Sequence, residues 1–296
     1  MRRCAFLTMA DRAGYVIDDE LAEAPLAALG WRVDTVPWDR PGVPWERYEA
    51  VVVRSCWDYH RRPEEFLAVL ERIVATGARL ENDLELIRWN LAKSYLADLA
   101  ARGVAIVPTL WRPRLAAGEL DGLFAALASE EIVVKPVVAA SAEGAFRLDR
   151  RALRRRRGEV EEYFAERALM AQPLVRAVLD EGEHSLFYFA GELSHAVVKT
   201  PRPGDFRSQE EHGGAVRPAR PKAELRAAGD AAVRALDAAP LYARVDLVPA
   251  NDGGGLWLME LEAVEPSLYL RMDPGAPGRF ARALVSRVSG CSRAAR

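Results

Sequence analysis

The chain has 296 residues, half of them hydrophobic, with 41 basic against 43 acidic side chains and a formal net charge of −2. That length is too great for one compact core and suits two or three packed subdomains. The balanced charge, and aromatics scattered among apolar runs rather than set along a basic stripe, argue against nucleic acid or an anionic membrane as partner.

In chain order, Ala5–Thr8 reads as a short buried strand, followed by a helix over Glu20–Leu29 with Gly30 just past its end. Trp31–Val36 reads as the next strand, and the β-branched run Ala50–Val53 as a third, buried on both faces. Pro63–Thr76 is an amphipathic helix, so the first third is expected to be a small parallel α/β unit. Asn90 reads as the N-cap of a helix to Ala101, closed by Gly103, and Val104–Val107 as a strand. Glu131–Val138 and Phe146–Leu148 are paired strands around the small-residue loop Ala139–Gly144, and Arg151–Glu166 is a charged helix. Leu169–Leu174, Leu186–Phe189 and His195–Thr200 are short strands. The Pro-, Gly- and charge-rich stretch 201–221 is a long loop, of the kind that usually carries function. Lys222–Ala238 is a helix, and Tyr242–Val248 and Leu256–Glu262 are strands joined by the turn Asn251-Asp252-Gly253-Gly254-Gly255.

That last hairpin carries the chemistry. A turn centred on Gly253 sets Asp246 opposite Glu260 and Arg244 opposite Glu262, and strand alternation puts all four on one face. Val245, Leu247, Met259 and Leu261 fall on the other face, as core. Carboxylates converging in this way repel one another unless a cation sits among them, and oxygen-only ligation suits magnesium. The competing reading is a solvated sheet face with an Arg244–Glu262 pair. A second feature is Lys135, in the apolar strand Ile132-Val133-Val134-Lys135-Pro136. An ammonium there must find an anion, such as a phosphate, or snorkel from an edge. The adjoining loop can turn backbone N–H groups toward phosphates.

In this order these features resemble the ATP-grasp superfamily, which includes glutathione synthetase and D-alanine–D-alanine ligase, over about residues 50–270. The resemblance implies an α/β and α+β fold: an N-terminal parallel domain (1–85), a central lobe (86–180) and a C-terminal lobe (181–296), with ATP clasped between the two lobes. It implies that Lys93 and Lys135 bind phosphates, that Gln172-Pro173-Leu174 is the hinge strand beside adenine, and that Glu183 binds ribose. Asp246 and Glu260 match the Mg2+ ligands, with Glu262 where the family usually has asparagine. Lys199 falls where the family places a basic residue facing the phosphates; Arg207, permanently charged and on the long 201–221 loop, and Arg244 are the other candidate catalytic charges on the transferred phosphoryl group. The phrases Arg54-Ser55-Cys56-Trp57-Asp58-Tyr59, 204–214 and Glu260-Leu261-Glu262-Ala263-Val264-Glu265-Pro266-Ser267 look most like a bacterial subgroup related to the D-cycloserine-forming cyclo-ligase.

The implied activity is that of an ADP-forming ligase that activates a small carboxylate as an acyl phosphate for attack by an amine, between two molecules or within one. A phosphotransferase and a non-catalytic nucleotide-binding protein are the alternatives. Arg54, Trp57, Asp58 and Ser267 are candidate substrate contacts, the first three because ligands bind beyond the carboxyl ends of parallel strands. A capped turn with Trp57 in the core is the other reading of that segment. Cys56 lacks an evident activating histidine; His60 reads as a surface residue, and His212 as a loop residue without a role, with substrate contact as the other reading. Arg154–Arg157 precede Glu159, Glu161 and Glu162, which indicates a solvated helix with ion pairs. Three distant cysteines, Cys4, Cys56 and Cys291, suggest no disulfide framework or zinc site, and a cytoplasmic monomer or homodimer is expected. The start of the chain does not read as a secretion signal, and no segment has the length of a membrane span.

Overall fold

The computed structural model describes residues 1–294, with side chains through Gly290. The N-terminal third is a parallel sheet of β1 (Arg2–Thr8), β2 (Trp31–Pro37), β3 (Ala50–Ser55) and β4 (Arg79–Glu81), in the order β2-β1-β3-β4. Its crossovers carry α1 (Glu23–Ala28) and α2 (Pro63–Ala75). Alternation sends Cys4, Phe6, Ala50 and Val52 into one core and Ala5, Leu7, Val51 and Val53 into another. The expected burial of this strand on both faces is therefore observed.

Two short helices follow, α3 (Leu84–Asn90) and α4 (Tyr95–Ala101). An antiparallel sheet then forms from β5 (Leu110–Arg112), β6 (Glu131–Pro136), β7 (Phe146–Asp149) and β8 (Leu169–Pro173), in the order β5-β8-β6-β7. Helices α5 (Leu120–Ala126) and α6 (Arg150–Tyr163) bury Leu123, Phe124, Leu153 and Val160 against it. The outer face of α6 is tied by Arg156–Glu159 and Arg157–Glu161 pairs, as its charge pattern indicated.

After α7 (Arg176–Asp180), a larger antiparallel sheet holds β9 (Glu183–Phe189), β10 (Glu192–Thr200), β11 (Ala215–Ala219), β12 (Tyr242–Pro249) and β13 (Leu256–Glu262). Its order is β11-β10-β9-β12-β13. Helix α8 (Ala223–Arg234) covers one face, and α9 (Ala276–Ala294) sets Phe280 and Leu284 into the core shared with Phe6 and Val52.

Several elements differ from the sequence reading. Asn90 ends a helix rather than capping one; Asp83 is the N-cap, accepting from the Leu86 N–H at 2.9 Å. The buried Asn90 amide is used elsewhere, donating to the Leu261 carbonyl (2.8 Å) and accepting from the Ala263 N–H (2.7 Å). A buried side chain that bridges distant backbone looks, in sequence, like any cap residue. Val104–Val107 makes a lone bridge at Ile106 rather than a strand, because Pro108 removes a donor just beyond it. The stretch 201–221 contains β11, which pairs with β10.

Candidate active site

The three sheets enclose one large cavity, and most of the residues singled out above line it. β12 and β13 pair Arg244 with Glu262 and Asp246 with Glu260, as the turn argument required. The register reaches that result by a correction. Next to the turn Pro249 faces Leu256, one residue away from a turn centred on Gly253, and a bulge after Asp246 restores the pairing. Met259 is the inserted residue. It leaves the core face on which alternation placed it and lines the cavity beside Glu260.

One oxygen from each of Asp246, Glu260 and Glu262 lies within 4.8 Å of the others. The expected repulsion is absorbed by the protein's own cations. Lys93 Nζ lies 2.9 Å and Lys135 Nζ 3.3 Å from Glu260 Oε1. Arg244 bridges Asp246 (2.9 Å) and Glu262, and Lys199 contacts Asp246 (3.3 Å) and Glu183. Burial alone would raise the Glu260 carboxyl, but Lys93 and Lys135 pull it well below its ordinary value. Burial likewise opposes ionisation of Asp246, and Arg244 and Lys199 reverse it. Glu262 is pushed up to about 7 by burial, which Arg244 resists and Glu260 and Asp246 reinforce.

Backbone contacts set these charges. The Lys93 N–H donates to the Val137 carbonyl at 2.8 Å, which brings the α3–α4 connection against the end of β6 and so joins the two lysines. Asn90 and the Tyr95 hydroxyl, which accepts from the Leu261 N–H at 2.9 Å, hold β13 in place. Gly182 precedes Glu183 at φ +94°, where an added Cβ would lie 2.7 Å from the Lys199 carbonyl. Only glycine lets β9 start that close to β10.

Gln172, Pro173 and Leu174 line the cavity at the end of β8, and Gln172 Nε2 donates to Thr109 Oγ1 at 2.9 Å. Arg207 lines it from the 201–214 loop, paired at 2.8 Å with Asp205, whose carboxyl it holds well below the usual range. Trp57 and Ser267 also line it. Arg54 and Asp58 do not. The buried Arg54 pairs with Asp19 at 3.0 Å and lies over the Tyr242 ring, which joins the N-terminal sheet to β12. Asp58 accepts from the Trp38 indole at 2.8 Å.

His60 is no free surface residue: it contacts Glu143 (3.1 Å) and the Trp57 carbonyl (3.0 Å). His212 contacts the Ser141 carbonyl at 2.9 Å, so the 201–214 loop touches the small-residue loop. The Cys56 thiol is buried, and burial raises it well above its ordinary value, so it is no nucleophile. The sequence reading did not single out Tyr15, Tyr59, Glu265 or Tyr269, which also line the cavity. Tyr59 and Glu265 carried a signal, since they stand in the Arg54–Tyr59 and Glu260–Ser267 phrases; Tyr15 and Tyr269 did not.

A family description of the N-terminal domain of the D-cycloserine synthetase DcsG matches residues 4–82. The cycloserine biosynthesis protein DcsG of Streptomyces lavendulae is 35% identical over 281 residues, covering 88% of this chain and 90% of the relative. The crystal structure of D-cycloserine synthetase DcsG superposes with a TM-score of 0.84 at 31% identity, over 97% of this chain and 99% of the other. The D-alanine–D-alanine ligase of Bacillus anthracis shares the fold, with a TM-score of 0.70 at 14% identity over the whole of both chains. The chain belongs to the ATP-grasp ligases, as an ATP-dependent carboxylate–amine ligase related to the D-cycloserine synthetase DcsG.

Proposed function

We propose that this ligase transfers the γ-phosphoryl group of ATP to a carboxylate oxygen of a small molecule, releasing ADP and leaving an acyl phosphate. An amine nitrogen then attacks the acyl carbon, the bond to the phosphate oxygen breaks, and phosphate and a proton leave. The observation that carries this reading is the meeting of Lys93 and Lys135 on Glu260, within the Asp246–Glu260–Glu262 cluster of the large cavity. Phosphoryl transfer is catalysed mainly by positioning and charge stabilisation, and the cavity is built of fixed charges of both signs.

Asp246, Glu260 and Glu262 would hold magnesium. The donor set fits, since it is all oxygen, converges within 4.8 Å and already sits among four cationic side chains. Magnesium would supply charge neutralisation on the phosphate oxygens. Lys93, Lys135 and Lys199 would then turn to phosphates, with Arg207 and Arg244 balancing charge that develops during transfer. Gln172–Leu174 would flank adenine, and Glu183 the ribose. In this reading the chain divides into 1–85, 86–180 and 181–296, and the nucleotide lies between the last two parts. The likeness to a D-cycloserine synthetase favours a substrate that carries acid and amine in one molecule and closes a ring.

The test is a screen of amino acids and small peptides for substrate-dependent ADP release, with mass spectrometry of the product. Hydroxylamine added with ATP and the active carboxylate should trap a hydroxamate. AMP and pyrophosphate as products would overturn the ADP-forming route. A stable phosphorylated product would make the protein a phosphotransferase.

A further inference from the structure

Glu265 stands apart from the carboxylates discussed so far. It lines the cavity three residues beyond Glu262, is 8% exposed, and lies outside the 4.8 Å cluster. The lysines and arginines lining the cavity are engaged elsewhere: Lys93 and Lys135 on Glu260, Lys199 on Glu183 and Asp246, Arg244 on Asp246 and Glu262, and Arg207 on Asp205. Among the described residues, no Lys, Arg or His nitrogen lies within 4.0 Å of the Glu265 carboxylate. A buried carboxylate without a cation is costly unless a ligand brings one.

The surroundings indicate which ligand. The Trp57 indole donates to the Glu265 backbone carbonyl at 2.8 Å, which fixes this segment beyond the carboxyl end of β3, on the N-terminal side of the cavity. Gln172–Leu174 and Met259 lie on other elements, at the end of β8 and within β13. The buried Tyr59 phenol faces Glu265 and, with Trp57 and Tyr15, lends aromatic surface, which favours an organic cation over a hydrated metal ion. Gln209 Oε1, on another lining residue, is buried with no hydrogen-bond partner in the protein. Gln209 Oε1 and the Glu265 carboxylate are thus two lining acceptors that no cation of the protein engages, the complement of an ammonium group.

We propose that Glu265 binds the cationic amino group of the substrate and so selects amine-bearing molecules for the ligase. The assignment of that amine to the reacting substrate rests on the ligase reading; the presence of an ammonium subsite does not. The first experiment uses methylammonium chloride against sodium chloride at equal ionic strength. Thermal melts of wild type should show a saturable upward shift with methylammonium alone. Glu265→Gln, which keeps the shape of a buried acid without its ability to ionise and should fold, should lose the shift, and Glu265→Asp should keep part of it. No saturable shift in wild type, or an equal one in Glu265→Gln, overturns the proposal.

The second experiment uses turnover of the substrate found by ADP release. Glu265→Gln should raise KM for the amine-bearing substrate at least tenfold and leave KM for ATP within twofold. An unchanged amine KM overturns the proposal while the ligase reading stands. Absence of ADP release from wild type would count against the ligase reading and leave the methylammonium result intact.

Discussion

Single charges in this cavity do unequal work. Lys135 reaches Glu260 at 3.3 Å and is the cation that the apolar β6 strand presents to the cavity. Lys135→Ala should weaken ATP binding tenfold or more by calorimetry, since a charge-assisted contact contributes about 1.5–3 kcal/mol. The thermal midpoint should fall only slightly. Mutual repulsion of the carboxylates would make Glu260→Gln neutral or stabilising in the apo protein. The ion pairs reverse that expectation: Glu260 joins Lys93 and Lys135, so its loss leaves two partly buried ammonium groups close together and should lower the apo melting temperature. Glu265 is the opposite case. Burial, and then the charge of Glu262, push its carboxyl up to about 8, against the partial relief of Lys93 and Arg244. A raised acid pKa costs nothing below its ordinary value, and the cost grows as pH rises through the folded value. Glu265→Gln should therefore melt higher than wild type above about pH 8, with the difference closing toward about pH 5.

At the level of elements, the hairpin of β12 and β13 places the acidic cluster, and its neighbours hold it there. The bulge after Asp246 keeps the Asp246–Glu260 and Arg244–Glu262 pairs across from each other although the turn itself is one residue out of step. Without it Asp246 would face Met259, and the carboxylates would not share a face. Asn90 stitches this strand to α3 by two buried hydrogen bonds. Asn90→Ala leaves a buried N–H and a buried carbonyl without partners and should cost about 2–4 kcal/mol in denaturant unfolding. Activity should fall more than ATP affinity, because the carboxylate-bearing side of β13 loses its anchor while Lys135 stays on β6.

Across the whole molecule, the N-terminal sheet and the large C-terminal sheet are one body. Phe280 of α9 contacts Phe6 of β1 edge-on at 6.0 Å and Phe189 of β9 at 5.4 Å, and Arg54 and Tyr242 join the same region. Phe280→Ala should cost about 3–5 kcal/mol. Scanning calorimetry should show both sheets melting in one transition, where independent units would give two. Among the described residues no helix is long and apolar enough to cross a membrane.

Local rules determined much of this protein from the sequence. Alternation put Asp246, Glu260 and Glu262 within reach of one face, a placement that the bulge after Asp246 completes; β-branched residues marked the buried strand Ala50–Val53, and Lys135 stood out as a charge in an apolar strand. Such features are legible because strand parity and burial act over a few neighbouring residues. Other features needed the tertiary structure. Helix α9 takes its place from the core it shares with β1 and β3, and the Asn90 amide serves a strand 171 residues away. Lys135 meets Glu260 across 125 residues, which turned an expected repulsion into a balanced set of ion pairs. Arg54, a candidate substrate contact by its place after β3, is a brace between sheets. Long-range pairing of charges depends on how whole sheets pack, and spacing along the chain carries no record of it.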